Sequence, residues 1–493
     1  MTVKLSLASL KDAAATAAVP AYDREKLSAG IVHFGVGNFH RAHQAVYLDD
    51  LFNLGKDHDW AIVGAGVLPS DAAMRDKLKA QDFLTSVVEQ DNNRTAARVT
   101  APIVDIIAPD QKAVLIEKLA DPAIRIVSMT ITEGGYFIDA SGQFNPTHPA
   151  IAEDGRNPEN PKTVFGLILS GLKLRKSRGI APFTIMSCDN IPGNGEVTEN
   201  AVVGLAKLSD PDFAHWIHQN VAFPNSMVDR ITPATGTREI DILRNDFGIE
   251  DNWPVFCEEF KQWVMEDKFP AGRPALEEVG VQFVPDVAPY EHMKIRILNG
   301  GHAAIAYPAA LLDVHFVHEA MEHPLIRAFL AKLEREEIIP IIPPVPDTSL
   351  EEYFALIERR FLNPKIGDTI PRLAQDGSNR QPKFILPSTA DRLAKGLDIV
   401  GLSLVSALWC RYFAGTSDSG KTIVFNDASA DRLQAAALKA KDDPDAFLVF
   451  DEIFGAVSKS ELFRKRFAHA LQTLWKEGTA KTLELYLADQ LVK

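Results

Sequence analysis

A short stretch near residue 35 narrows the possible folds more than any other. The apolar run Ile31-Val32-His33-Phe34 stops at Gly35-Val36-Gly37, and residues 38–54 then carry Ala45, Leu48 and Phe52 on one helical face. Strand, glycine turn and helix in that order let a backbone approach a bulky anion and seat it on a helix N-terminus. A second apolar run, Trp60-Ala61-Ile62-Val63, again ends in glycine, at Gly64 and Gly66. Residues 123–130 and 181–187 read as further buried strands. Strand–helix alternation with near-continuous apolar strands predicts a mainly parallel sheet covered on both faces, a Rossmann-like α/β domain.

Beyond about residue 290 the pattern changes. Residues 324–338, 349–362, 394–413, 428–441, 460–477 and 481–492 all show helical spacing, with Ser349-x-x-Glu352 as a capping box. The proline-rich segment 338–347 reads as a connector. A length of 493 residues exceeds one compact core. The expected division is a nucleotide-binding domain over 1–285 and a predominantly α-helical domain over 286–493, with the active site in the cleft between them.

The glycine turn makes Gly35, Gly37, Asn38, Phe39, His40 and Arg41 candidate cofactor-binding residues. His40 stands where the third glycine of a dinucleotide fingerprint would be. A larger residue there holds helix and strand further apart or points outward. His40-Arg41-x-His43 can offer cations to phosphates; as a metal pair it lacks cysteine or acidic companions at useful spacing, so no metal site is expected. Asp71, beyond the second strand, can accept from a ribose 2′-OH and repel a 2′-phosphate, which predicts NAD over NADP. It serves equally well, with Ser70, as a helix N-cap.

The most informative stretch is Lys294-Ile-Arg-Ile-Leu-Asn299-Gly-Gly-His302. On an α-helix Asn299 lies about 140° and His302 about 80° around from Lys294, so all three can border one concavity. Gly300 and Gly301 cost about 1 kcal/mol each in a helix interior, which predicts close approach of a cofactor or substrate. Oxidising a secondary alcohol with NAD needs a base for the hydroxyl proton and donors for the oxygen. A lysine in a dry cleft beside a cationic ring is such a base without metal, and Asn and His suit the oxygen.

Four separated motifs now act together: GVGNFHRAHQ at 35–44, TITEGGY at 130–136, FPNSMVDRITP at 223–233, and Lys294-x4-Asn299-x2-His302. On these, over nearly its whole length, the chain resembles the polyol-specific long-chain dehydrogenase/reductase family. The resemblance implies a metal-independent enzyme with Lys294 as general acid/base and Asn190 and Asn299 polarising the reacting oxygen. It further implies that His302 and Asp229 orient the polyol and that Arg372 and Arg380 bind remote hydroxyls. Glu291 would connect the lysine to solvent. Arg380, where the family pattern carries Lys, and His292 depart from it, leaving chain-length preference and the proton path open. The implied reaction is oxidation of D-mannitol to D-fructose and its reverse, with D-arabinitol or D-sorbitol as further substrates and a monomer as the working unit.

Taken singly, these residues have plainer readings. Asp229-Arg230 can be an ion pair at a loop, Asn190 before Ile191-Pro192-Gly193 a turn residue, Glu133-Gly-Gly135 backbone geometry, and Trp263 core. Two other functions stay open: a hexuronate reductase of the same family, with Arg372 or Arg380 on the substrate carboxylate, and a dinucleotide sensor without catalysis.

Composition adds exclusions. Lys+Arg 52 against Asp+Glu 66 gives a net charge of −14, which argues against nucleic acid or an anionic membrane surface as partner. The three cysteines, Cys188, Cys257 and Cys410, make no disulfide framework or zinc cluster and fit a reducing cytoplasm. The apolar run at 399–410 is far shorter than the roughly 20 residues of a membrane-spanning helix and reads as a buried one.

Overall fold

The apolar runs that end in glycine pair side by side. The computed structural model describes residues 2–138 and 143–492. Strands β1 (Ala29–Phe34), β2 (Ala61–Ala65), β3 (Ile103–Ile107), β4 (Ile126–Met129) and β5 (Thr184–Ser187) form one sheet in the order 3-2-1-4-5. Every pairing is parallel. This is the doubly wound order, in which the chain leaves the central strand in opposite directions and opens a crevice between β1 and β4 at their C-terminal ends.

Alternate residues of each strand feed two cores. Val32, Phe34, Val63, Val127, Met129 and Ile185 pack on one face with Phe165 and Leu172 of helix α5, whereas Ile31, Ile62, Ile126 and Met186 pack on the other with Leu48 and Phe52 of α2. Burial on both faces is why these strands read as continuous apolar runs. The covering helices are α1 (Asn38–Ala42), α2 (Gln44–Asn53), α3 (Asp71–Lys79), α4 (Lys112–Leu119), α5 (Val164–Ser177) and α6 (Asn194–Lys207). The helix expected over 38–54 is two helices, because His43 leaves the helical region at φ −121°, ψ −88°.

Several strands escaped the sequence reading. β3 is one. Thr85–Asp91 and Arg94–Thr100 form an antiparallel hairpin, extended by Val255–Glu258 in parallel. Ser226–Asp229, Gln262–Glu266 and Gln282–Val284 make a further small sheet. These strands mix polar and apolar residues.

The chain divides into two compact units, Met1–Ala288 and Pro289–Lys493. In the second, the main helices are α7 (Gly300–Leu311), α8 (Pro324–Leu333), α9 (Leu350–Phe361), α10 (Val400–Tyr412) and α11 (Glu461–Leu487). α10 is buried almost end to end, the fate expected for its apolar run, and packs along α11. The helices expected at 460–477 and 481–492 are the two arms of α11, kinked at Gly478 (φ 79°, ψ 173°). Ser349 caps α9 by accepting from the Glu352 amide at 3.3 Å. Among the described residues no helix is long and apolar enough to cross a membrane.

Candidate functional site

In the first unit the motifs converge on the C-terminal edge of the sheet. Gly35 ends β1 at φ +88°, and a Cβ there would lie 2.0 Å from the Thr130 carbonyl oxygen, at the end of β4. Only glycine fits. Gly37 differs: it is exposed, and a Cβ would meet nothing nearer than the Gly35 oxygen at 3.9 Å. Space above Gly37 and the orphan first-turn amides of α1, at Asn38 and Phe39, fit the approach of a dinucleotide pyrophosphate. Asn38 donates weakly to the Pro233 carbonyl (3.4 Å) and Thr235 hydroxyl (3.3 Å), which ties the 223–233 motif to the glycine turn.

The cations expected beside the phosphates turn inward instead. His40 is 1% exposed, its ring stacked on that of His33 at 3.4 Å. Burial, then His33, Arg41 and His43, hold its pKa well below the ordinary value. His43 is fully buried, its Nε2 2.9 Å from the Gln262 carbonyl, and is pushed down to about 3 by burial. Arg41 has no exposed surface and donates to the Trp253 carbonyl and, at 2.8 Å, to Asn38 Oδ1. Neutral imidazoles and an engaged guanidinium offer no loose positive charge here. The third-glycine position is thus filled by a ring that points into the protein, not outward.

Asp71 is the first residue of α3. Its Oδ2 accepts from the amides of Val67 (2.8 Å) and Leu68 (2.9 Å), closing the loop after β2. The expected N-cap bond is not made: Ser70 is the N-cap residue without a side-chain cap, and Asp71 braces the loop before the helix rather than its first turn.

Asn190 is exposed just beyond β5. The sequence reading passed over its neighbour Asp189, which organises this edge. Its carboxylate accepts from the amides of Ile131 and Thr132, both at 2.9 Å, and from the Tyr136 hydroxyl at 2.7 Å. It thereby holds Thr132 at φ +62°, a costly backbone for a β-branched residue. Asp229 is buried at the end of the strand Ser226–Asp229, not in a loop. Arg230 donates to Glu89 (2.6 Å), the Ala42 carbonyl (2.6 Å) and the Glu258 carbonyl (2.9 Å), clamping this strand to α1. Trp263 is core.

The second unit carries the remaining residues. Glu291, on the helix Ala288–Met293, and Lys294 are both buried, at 8% and 6% exposure. Lys294–Asn299 is not an α-helix but a π-helical turn, inserted between that helix and α7. A π-turn bonds i to i+5 and absorbs one extra residue. Asn299 and His302 therefore sit where i+4 and i+7 would, about 40° and about 20° from Lys294 instead of 140° and 80°. The three form one file. Gly300 and Gly301 are approached by protein rather than by ligand: Cβ atoms there would lie 3.3 Å from the Phe384 carbonyl oxygen and 3.5 Å from Phe361 and Glu334.

His302 stacks on Phe361 at 4.0 Å, and burial pushes its pKa down to about 3. Asp368, Arg372, Arg360 and Arg380 all act on it electrostatically, so one neighbourhood gathers His302 with both expected arginines. Arg372 is half-exposed and engaged bidentately by Asp368. Arg380 donates to the carbonyls of Leu373 (2.8 Å) and Arg372 (3.3 Å). Asp368 and Phe361 were not singled out from the sequence; the i,i+4 spacing of Asp368 to Arg372 was the available signal.

Known proteins match both parts of the chain. The family model described as the mannitol dehydrogenase Rossmann domain matches residues 29–278, and that of the mannitol dehydrogenase C-terminal domain matches 286–475. Mannitol 2-dehydrogenase of Cereibacter sphaeroides is 57% identical over 470 residues, covering 95% of this chain and 98% of that protein. The Pseudomonas fluorescens mannitol 2-dehydrogenase ternary complex with NAD and D-mannitol superposes with a TM-score of 0.89 at 42% identity, covering 98% of this chain and 99% of that one. A substrate-free D-sorbitol dehydrogenase gives 0.88 at 34% identity, with coverage of 97% and 100%.

Two outcomes test this geometry. Gly35→Ala should cost more than about 2 kcal/mol, since it combines a clash with a disfavoured φ, whereas Gly37→Ala should stay within about 1 kcal/mol; urea unfolding measures both. Acidification should also destabilise the fold. Unfolded histidine takes up a proton near pH 6.5, but His33, His43 and His302 resist until about 3. The unfolded state therefore binds more protons over that window, and stability falls as pH drops through it, by up to about 1.4 kcal/mol per histidine per pH unit. Thermal melts from pH 7 to pH 4 measure this.

Proposed function

The chain belongs to the mannitol dehydrogenase family, and we propose that it is an NAD-dependent, metal-independent dehydrogenase interconverting D-mannitol and D-fructose. D-Sorbitol and D-arabinitol are its further substrates. The observation that carries this reading is the π-turn, which files Lys294, Asn299 and His302 along one face in a chain alike to a mannitol 2-dehydrogenase over 95% of its length.

Bound NAD supplies the nicotinamide that accepts hydride. Gly35, Gly37 and the amides of Asn38 and Phe39 receive its pyrophosphate, and His40 and Arg41 support the turn from beneath. Asp71 disfavours a 2′-phosphate by charge. Lys294 meets the substrate carbinol and takes its hydroxyl proton. Asn190 and Asn299 donate to the same oxygen as it gains carbonyl character. His302, neutral across the working pH range, has one donor and one acceptor for a neighbouring hydroxyl, and Asp229 accepts from another. Glu291 passes the proton from Lys294 to solvent.

Arg372 and Arg380 face the far end of the polyol. The bidentate pairing of Arg372 with Asp368 favours the polyol over a hexuronate. With its fork on Asp368, Arg372 offers a substrate only its remaining N–H groups, which suit a hydroxyl better than a carboxylate. The reading includes a monomer in the cytoplasm, and three buried free cysteines support a reducing compartment.

Lys294→Ala should lower kcat by at least about 10³-fold while binding NADH as the wild type does; a wild-type rate across the pH range would overturn the assigned base. Absorbance at 340 nm with mannitol, sorbitol and arabinitol plus NAD, against fructose and fructuronate plus NADH, tests the substrate. Faster turnover of fructuronate than fructose would make the enzyme a uronate reductase. Tight NADH binding with no turnover of any of them would make it a sensor.

A further inference from the structure

Two buried histidines lie beneath the glycine turn, and the reaction above uses neither as acid, base or oxygen donor. His33 lies on β1 and is wholly buried. Its Nδ1 is 2.7 Å from Ser128 Oγ on β4, and Ser128 Oγ also lies 3.0 Å from Gln44 Oε1. On its other side, Nε2 is 3.2 Å from the Gly35 carbonyl oxygen and 3.1 Å from Thr130 Oγ1. The Thr130 hydroxyl itself donates to the Gly35 carbonyl at 2.6 Å. His40 lies flat on His33, with an interplanar angle of 16°, and Gln44 is the side chain that acts on it as a hydrogen-bond partner.

The third glycine of a dinucleotide fingerprint exists so that helix and strand can pack closely. Here a pair of stacked rings spans the same gap. The stack can persist only while both rings are neutral, and burial keeps both pKa values far below the ordinary one. A neutral imidazole has one donor and one acceptor. Ser128 has one hydroxyl proton to give; when it goes to Nδ1, the Nε2–H donates to the Gly35 carbonyl beside the Thr130 hydroxyl, which leaves that carbonyl little freedom to rotate. Rotating that carbonyl would move Gly37, whose amide bonds back to it at 2.7 Å.

We propose that the His33–His40 stack, acting through Thr130, is a positioning element of the dinucleotide site: it replaces the third glycine and sets the Gly35 carbonyl, and with it the loop that receives the pyrophosphate. The inference rests on the NAD-binding reading of that loop. Its consequence falls on cofactor affinity and not on the chemistry at Lys294.

The test uses the full chain, with NADH titrated by fluorescence and steady-state kinetics run with NAD and mannitol. Thr130→Val, which keeps shape and removes the hydroxyl, should weaken NADH binding and raise KM for NAD by about five- to tenfold. kcat at saturating NAD and KM for mannitol should stay within about twofold. His33→Leu should behave likewise, while Thr130→Ser and His33→Gln, which keep a polar atom near Gly35, should recover most of the affinity. Wild-type NADH affinity in Thr130→Val overturns the proposal even if His33→Leu fails to fold. A loss shared equally among kcat, mannitol KM and NADH affinity overturns it too, since that marks general damage. A wild-type chain that binds no NADH overturns the function proposed above. NADH binding without fructose reduction overturns the activity alone and leaves the positioning role standing.

Discussion

The carbonyl of Thr130 occupies the space that any side chain at residue 35 would need. This single contact lets β1 and β4 end side by side at the point where the sheet order reverses. The TITEGGY loop leaves from one strand and the glycine turn from the other. Once the two ends touch, the Asp189 carboxylate can gather the Ile131 and Thr132 amides, and Asn38 can reach the carbonyl of Pro233. The conformational cost at Thr132 is repaid by an anion satisfied three times over.

The second unit solves a different problem. It must present basic and amide side chains from one short segment without leaving polar groups stranded in an apolar interior. Lys294 and Glu291 are both largely removed from water, a condition that demands partners or function. The chain meets it by loosening the helix locally, not by bending it. Around His302, Asp368 answers Arg372, and the imidazole stays neutral against the Phe361 ring.

Much of the architecture was legible. β1, β2, β4 and β5 announce themselves because burial on both faces leaves no polar interruptions, and the parallel order follows from helices between them. β3 hides because Asp105 interrupts it. The hairpin strands Thr85–Asp91 and Arg94–Thr100 hide because polar residues interrupt their apolar ones, so neither reads as a continuous apolar run. At the site, residue identity was readable but direction was not. Nothing in His40-Arg41-x-His43 reveals that all three turn inward, since histidine and arginine face water in most settings. Asp71 and Asp189 look alike in sequence, as short carboxylates near turns. Only the fold decides that the first closes its own loop and the second braces a neighbouring one. Helical-wheel angles failed at Lys294 for a specific reason: they assume an unbroken α-helix.

That failure bears on how the shared face of Lys294, Asn299 and His302 is encoded. The helix Ala288–Met293 and α7 are out of phase by one residue, and the phase is absorbed between 294 and 299. Deleting one of residues 295–298 would heal the helix into a regular one and leave Lys294, Asn299 and His302 at i, i+4 and i+7, on the file they already share. An added residue would instead turn Lys294 through about 100° away from His302. The arrangement is stored in a count of residues as much as in their kinds, and scanning by substitution alone would miss it.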